Sequence, residues 1–193
     1  MAKLQKISKI ALNFLKVCKV FTILTLILGI AVPIFFLFLP AFDSPTSILF
    51  GNLQLMLAER VHLEMPPVFC IAILLISILN AAAVLRILFH LKNILTPMAE
   101  GRPFHDQVAP SIRKIAWLHM MNAFLTQATG IAVSGFTFRA IHAGELLKNA
   151  SITAASLEPE FNCNFLIAFG ILLLLSYVFE YGQELQKLSD ETV

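Results

Sequence analysis

His119, Asn122, Thr126 and Gly130 recur at i, i+3, i+7 and i+11, a spacing that places them on one face of a helix. Asn80 stands six residues before Arg86, and His119 five residues after Lys114. If both cations mark one membrane boundary, Asn80 and His119 lie at similar depth, roughly 8–9 Å inside it at about 1.5 Å of rise per residue. Ser176, four residues before Glu180, falls near the same depth. An imidazole, two carboxamides and a hydroxyl form a set that can pass a proton or a small polar solute. The same set also serves as ordinary interhelical hydrogen bonding, worth about 0.6–2 kcal/mol per contact. Asn80 and His119 are expected to face each other, and cysteines at the two positions would then crosslink in membranes.

Other chemistry is poorly provided for. Ion coupling in a membrane uses a carboxylate or a paired charge within the span, and no Asp or Glu falls in the long apolar runs described below. There is no G-x-S-x-G, no H-E-x-x-H and no phosphate-binding glycine loop. A lone His with an Asn supplies no nucleophile–base pair, so enzymatic activity is not expected, and no cofactor or metal is called for. The three cysteines are far apart and form no Cys-x-x-Cys. Cys70 and Cys163 fall at span ends on the side expected to be oxidising, and would form a disulfide if the second and fourth spans adjoin there.

The elements that carry these residues follow from composition. Hydrophobic residues make up 58% of the 193 and charged residues 13%, where a soluble chain has about a quarter charged. Too few charges remain to cover a water-facing surface, so lipid must cover it. Stretches free of Asp, Glu, Lys and Arg run over 20–42, 65–85, 115–138 and 161–179. Each is close to the roughly 20 residues that a helix needs to cross about 30 Å of hydrocarbon. Segments such as IFFLFL are apolar on every side, unlike the alternating strands of a barrel. A helix also satisfies its own backbone in lipid. The first run is too long for the core of a secretory signal.

Orientation follows from Lys and Arg. Lys3, Lys6, Lys9, Lys16, Lys19, Arg86, Lys92, Arg102, Arg113, Lys114 and Lys187 fall on one side, and Arg60, Arg139 and Lys148 on the other. Eleven of fourteen on one side places that side in the cytoplasm, with both chain ends. In residues 1–19, Leu4, Ile7, Ile10, Phe14 and Leu15 share one helical arc opposite Lys6, Lys9, Lys16 and Lys19. This segment reads either as an amphipathic helix on the anionic inner leaflet or as a plain topology signal. Pro33 is expected to kink the first span. The second span is expected to extend to about Met98, with Gly101 as its stop, Pro103 barring continuation and Asp106 capping the third helix.

Two stretches resemble a known family. The turn Gly101-Arg102-Pro103-Phe104, followed by Ser111-Ile112-Arg113-Lys114-Ile115-Ala116, resembles the G-x-P-F…L-R-x-I-G pattern of the DUF2975 small bacterial membrane proteins. The ending FEYGQELQKLSDETV is similar to their F-x-x-G-x-x-L-q-x-e-x-D-E-T-V terminus. Two positions depart from the pattern: Val108 stands near a common Asn, and Ala116 at a common Gly. The resemblance implies an inner-membrane protein that partners a small helix-turn-helix regulator. On that reading Gly101, Arg102, Pro103, Phe104, Arg113, Gly182, Glu184, Asp190 and Glu191 form a cytoplasmic interaction region. Glu180, Glu184, Asp190 and Glu191 of the tail would then meet Arg102, Arg113 and Lys114.

The expected architecture is an all-α, antiparallel four-helix transmembrane bundle forming one membrane domain over 1–193. Its parts are a cytoplasmic segment at 1–19, spans at about 20–42, 65–89, 115–138 and 161–179, and a tail at 180–193. The expected function is a non-enzymatic anchor or sensor. The alternative is a small transporter or an accessory subunit of one, using the Asn80, His119, Asn122, Thr126 face. An enzyme acting on lipid ranks third. The expected partners are the bilayer and a cytoplasmic regulatory protein, with no direct nucleic-acid binding and the oligomeric state left open.

Overall fold

The computed structural model describes residues 2–38, 41–43, 47–50, 53–57, 62–64, 67–140, 152–157 and 162–191. Arg60 and Lys148, two of the cations used to set orientation, lie outside the described residues. Four long helices dominate: α1 (Ala2–Phe38), α2 (Pro67–Ala99), α3 (Val108–Ala140) and α4 (Asn164–Glu191). At 37, 33, 33 and 28 residues and about 1.5 Å of rise each, all four exceed the roughly 30 Å of a hydrocarbon core.

Segments within α1 (Lys3–Phe35), α2 and α4 are apolar enough to cross a membrane. The chain is therefore a multi-pass helical membrane protein. Helix α3 is as long as α2 but less apolar, because Arg113, Lys114, His119, Asn122, Thr126 and Gln127 recur along it. It is the polar member of the set. The segment 1–19, expected as a separate element, continues without interruption into the first span as α1. Pro33 lies inside α1, and the helix runs on to Phe38.

The connections between α1 and α2 and between α3 and α4 were expected to be loops, and instead carry strands. Among the described residues these are β1 (Ala41–Asp43), β2 (Ser47–Phe50), β3 (Leu53–Leu57), β4 (His62–Glu64) and β5 (Ile152–Leu157). Strand β1 pairs antiparallel with β4, Ala41 opposite Glu64. Strand β3 lies between β2 and β5, antiparallel to both, with Phe50 opposite Leu53 and Leu53 opposite Leu157. The β3–β5 ladder shifts register between Met56 and Leu57. Backbone pairing thus ties the two connections together.

The chain packs as two compact units, 1–25 with 81–123 and 163–193, and 26–80 with 124–162. Three of the four boundaries fall inside α1, α2 and α3, and the fourth just before α4. In the first unit Ile94 of α2 packs with Val108, Ile112 and Ile115 of α3, flanked by Ile87, Leu91, Met98, Leu172 and Phe179. Ala109, Ser111, Ala116 and Ser176 are buried with them. Lipid is as apolar as leucine, so small residues that admit close backbone approach hold membrane helices together. The second unit shows the same device. A Cβ on Gly29 would lie 3.2 Å from the Cβ of Ser77, so α1 and α2 approach closely there. Phe69, Cys70, Ile73 and Val133 form its buried apolar cluster.

Candidate functional site

The α2–α3 turn begins with a defined helix stop. Gly101 has φ of 85°, the left-handed conformation that glycine adopts without a Cβ penalty. The Gly101 N–H donates to the Met98 carbonyl (3.2 Å), and the Arg102 N–H to that of Pro97 (2.9 Å). These two bonds make a Schellman cap, which satisfies carbonyls left open at a helix C-terminus. Pro103 follows and prevents continuation. A Cβ on Gly101 would also sit 2.5 Å from the Gln5 amide nitrogen of α1. The expected stop is thus found at the expected residue.

Asp106 does not cap α3 as expected. His105 does: its carbonyl accepts from the Val108 N–H at 2.9 Å, and its Nδ1 from the Gln107 N–H at 3.3 Å. The Asp106 carboxylate turns instead to Lys187 of α4 at 3.3 Å. A carboxylate facing an ammonium has less reason to take a backbone donor that a neighbouring imidazole can satisfy.

The two family-like stretches, almost eighty residues apart in sequence, meet here. The Phe104 ring lies on Gly182, so close that a Cβ there would fall 2.6 Å from Cδ1 and 3.2 Å from Cζ. The same ring packs against Phe179, with centroids 5.9 Å apart. Gln183 Nε2 donates to the His105 carbonyl at 2.6 Å. Phe179, Gly182, Gln183, Gln186, Lys187 and Asp190 recur at spacings of one helical face, so one side of α4 carries the whole contact. Beside it is an open cavity of about 210 Å³, lined by Arg102, His105, Asp106, Gln186, Lys187 and Asp190 among others.

The expected meeting of tail acids and loop bases holds at one point. Arg113 Nη2 donates to Glu180 Oε2 at 2.6 Å, and its guanidinium lies 5.1 Å from the Tyr177 ring centroid. Arg102 pairs instead with its neighbour Glu100, and the Lys187–Asp106 pair has the opposite polarity, with the base on the tail. Glu184, Glu191 and Lys114 are exposed and take no part in the ion pairs among the described residues. Gln183 was not singled out in the sequence, and Lys187 only as one of the cations that set orientation. Their spacing from Gly182 along one face was the available signal.

Of the intramembrane set, the structure joins Asn80 and Thr126: Asn80 Nδ2 donates to Thr126 Oγ1 at 3.1 Å. His119 and Asn122, one turn apart on α3, are both half-buried in the first unit. A polar contact that sequence reasoning missed lies nearby in the chain. The Gln127 amide both donates to the Asn162 carbonyl (2.8 Å) and accepts from its N–H (2.9 Å), securing the approach to α4. Cys18, Cys70 and Cys163 carry free thiols, Cys70 buried and Cys163 exposed. Among the described residues no three His, Cys, Asp or Glu side chains converge as metal ligands.

The chain matches no family model, no curated protein and no solved structure.

Proposed function

We propose that this chain is a non-enzymatic protein of a bacterial inner membrane, with both ends in the cytoplasm, that docks a soluble regulatory protein on the α2–α3 turn and the α4 tail. The observation that carries the reading is the seat of Phe104 on Gly182. It joins the two stretches that resemble the DUF2975 pattern into one surface, and that resemblance brings a small helix-turn-helix regulator as the partner. The bias of eleven of the fourteen Lys and Arg toward one side supports a cytoplasmic position for this surface. The cavity beside Phe104 offers acid, base and amide groups within one small volume, suited to polar side chains of a protein partner.

In-cell crosslinking with an N-terminal tag, which leaves the tail free, tests the reading. A soluble DNA-binding protein crosslinked to the turn or tail is expected, and Gly182→Leu is expected to abolish its capture while insertion persists. Capture of polytopic proteins alone would overturn the anchor reading in favour of a transport subunit. His119→Leu separates the two further: it leaves an anchor working, whereas a transporter using that face would lose activity while still inserting normally.

A further inference from the structure

Helix α1 carries no Asp or Glu, and α2 none before its end at Ala99. In the first unit these two helices enclose an open groove of about 850 Å³, within the range of small-molecule sites. Four lysines line it, Lys9, Lys16 and Lys19 from α1 and Lys92 from α2. None of them forms an ion pair among the described residues. Between the lysines the walls are apolar, formed chiefly by Leu12, Leu15, Leu85, Leu88 and Phe89. Lys9 to Lys19 covers about 15 Å of α1 at 1.5 Å per residue, and Leu85 to Thr96 about the same length of α2.

Leu4, Ile7, Ile10, Phe14 and Val17 are exposed, as suits a helix with lipid outside. The side turned toward the rest of the unit carries Gln5, Ser8, Leu12, Leu15 and Cys18, and Lys9, Lys16, Lys19 and Lys92 stand exposed at the rim of the groove. Exposed cations at the rim of an apolar groove, with no acid among its lining residues, suit an anion that is itself amphipathic.

We propose that this groove binds an anionic phospholipid of the cytoplasmic leaflet, its phosphate held by Lys9, Lys16, Lys19 and Lys92 and its glycerol and upper acyl carbons against Leu85, Leu88 and Phe89. Basic pockets between transmembrane helices are a known way to hold such headgroups. The proposal shares its orientation with the function above but needs no regulatory partner, so it stands or falls in purified protein.

The test uses the full chain in mild detergent, titrated with phosphatidylglycerol or phosphatidylethanolamine and read by native mass spectrometry. Retention of phosphatidylglycerol over phosphatidylethanolamine is expected. The paired variant Lys16→Gln/Lys92→Gln should weaken it about 25-fold, on about fivefold per lysine near a membrane surface. The control Lys3→Gln/Lys6→Gln removes the same charge from α1 outside the groove and should change binding less than about fivefold. Equal losses in both variants would show diffuse attraction and overturn the site. So would displacement of the lipid by millimolar inorganic phosphate, which would mark a plain phosphate site. A unimodal elution profile and unchanged helical circular dichroism establish that each variant is folded. Leu88→Glu, which keeps every lysine and puts a carboxylate in the groove, provides a second route: lipid retained by a folded Leu88→Glu protein would also refute the proposal.

Discussion

Gly182→Ala sets two effects of opposite sign against each other. In an unobstructed helix interior, Gly to Ala stabilises by about 1 kcal/mol, because alanine loses less backbone entropy on folding. At this position the new methyl would lie 2.6 Å from Phe104 Cδ1 and 3.2 Å from its Cζ, well inside van der Waals contact. Phe104 must then move, and forcing a methyl into a packed site costs about 1–3 kcal/mol. The ring is held on one side by Phe179 at 5.9 Å and the backbone of its neighbour His105 by Gln183 at 2.6 Å, while its outer side is exposed and lets it yield in part. The expected net effect is therefore a loss of about 0–2 kcal/mol in the native background. With Phe104 already truncated to Ala, the clash disappears and the same substitution should stabilise by about 1 kcal/mol. The difference between backgrounds, about 1–3 kcal/mol, is the coupling between turn and tail. A double-mutant cycle by thermal or denaturant unfolding in detergent, followed by circular dichroism, measures it. If Gly182→Ala stabilises both backgrounds equally, Phe104 does not sit on Gly182 and the joined surface does not exist.

Three further outcomes are expected. Gly101→Ala must hold a left-handed φ of 85° against the Gln5 side chain, and should cost about 1–2 kcal/mol, while Gly101→Asn should cost less on the same unfolding assay. Arg113→Gln should lose about 1 kcal/mol, since the Glu180 pair is about half exposed and water discounts it, with the Tyr177 contact adding a similar amount. A cycle with Glu180→Gln that shows no coupling would contradict the ion pair. Asn80→Ala and Thr126→Ala should couple by about 0.6 kcal/mol, and their cysteine replacements should crosslink in membranes; failure of both readouts would place the two side chains apart.

Membrane residence was legible in the sequence because the apolar requirement of lipid acts on composition, independently of fold. Helix stops were legible for a similar reason. The left-handed Gly101 and the following Pro103 act within a few residues, and α2 ends where they demand. The strands of the connections were harder to read, although Gly51-Asn52 between SILF and LQLML is a hairpin signal. In a chain this apolar, that signal was submerged in general hydrophobicity, and the β3–β5 pairing joins segments nearly a hundred residues apart.

Sequence alone determined that the chain lives in a bilayer and where its long apolar helices run, since both depend on counts and local spacing. Only the tertiary structure decided which polar groups meet. Every acid in the tail was a candidate partner for every base in the turn, and exposed charges have near-equal affinities for one another. Steric fit broke that degeneracy: a glycine at 182 admits the Phe104 ring, and the register this sets brings Glu180 to Arg113 and Lys187 to Asp106. The lysine-lined groove is likewise a tertiary fact. Three of its cations were visible as one side of an amphipathic helix, but only the packing of α1 against α2 set them along an apolar groove and added Lys92 from the facing helix.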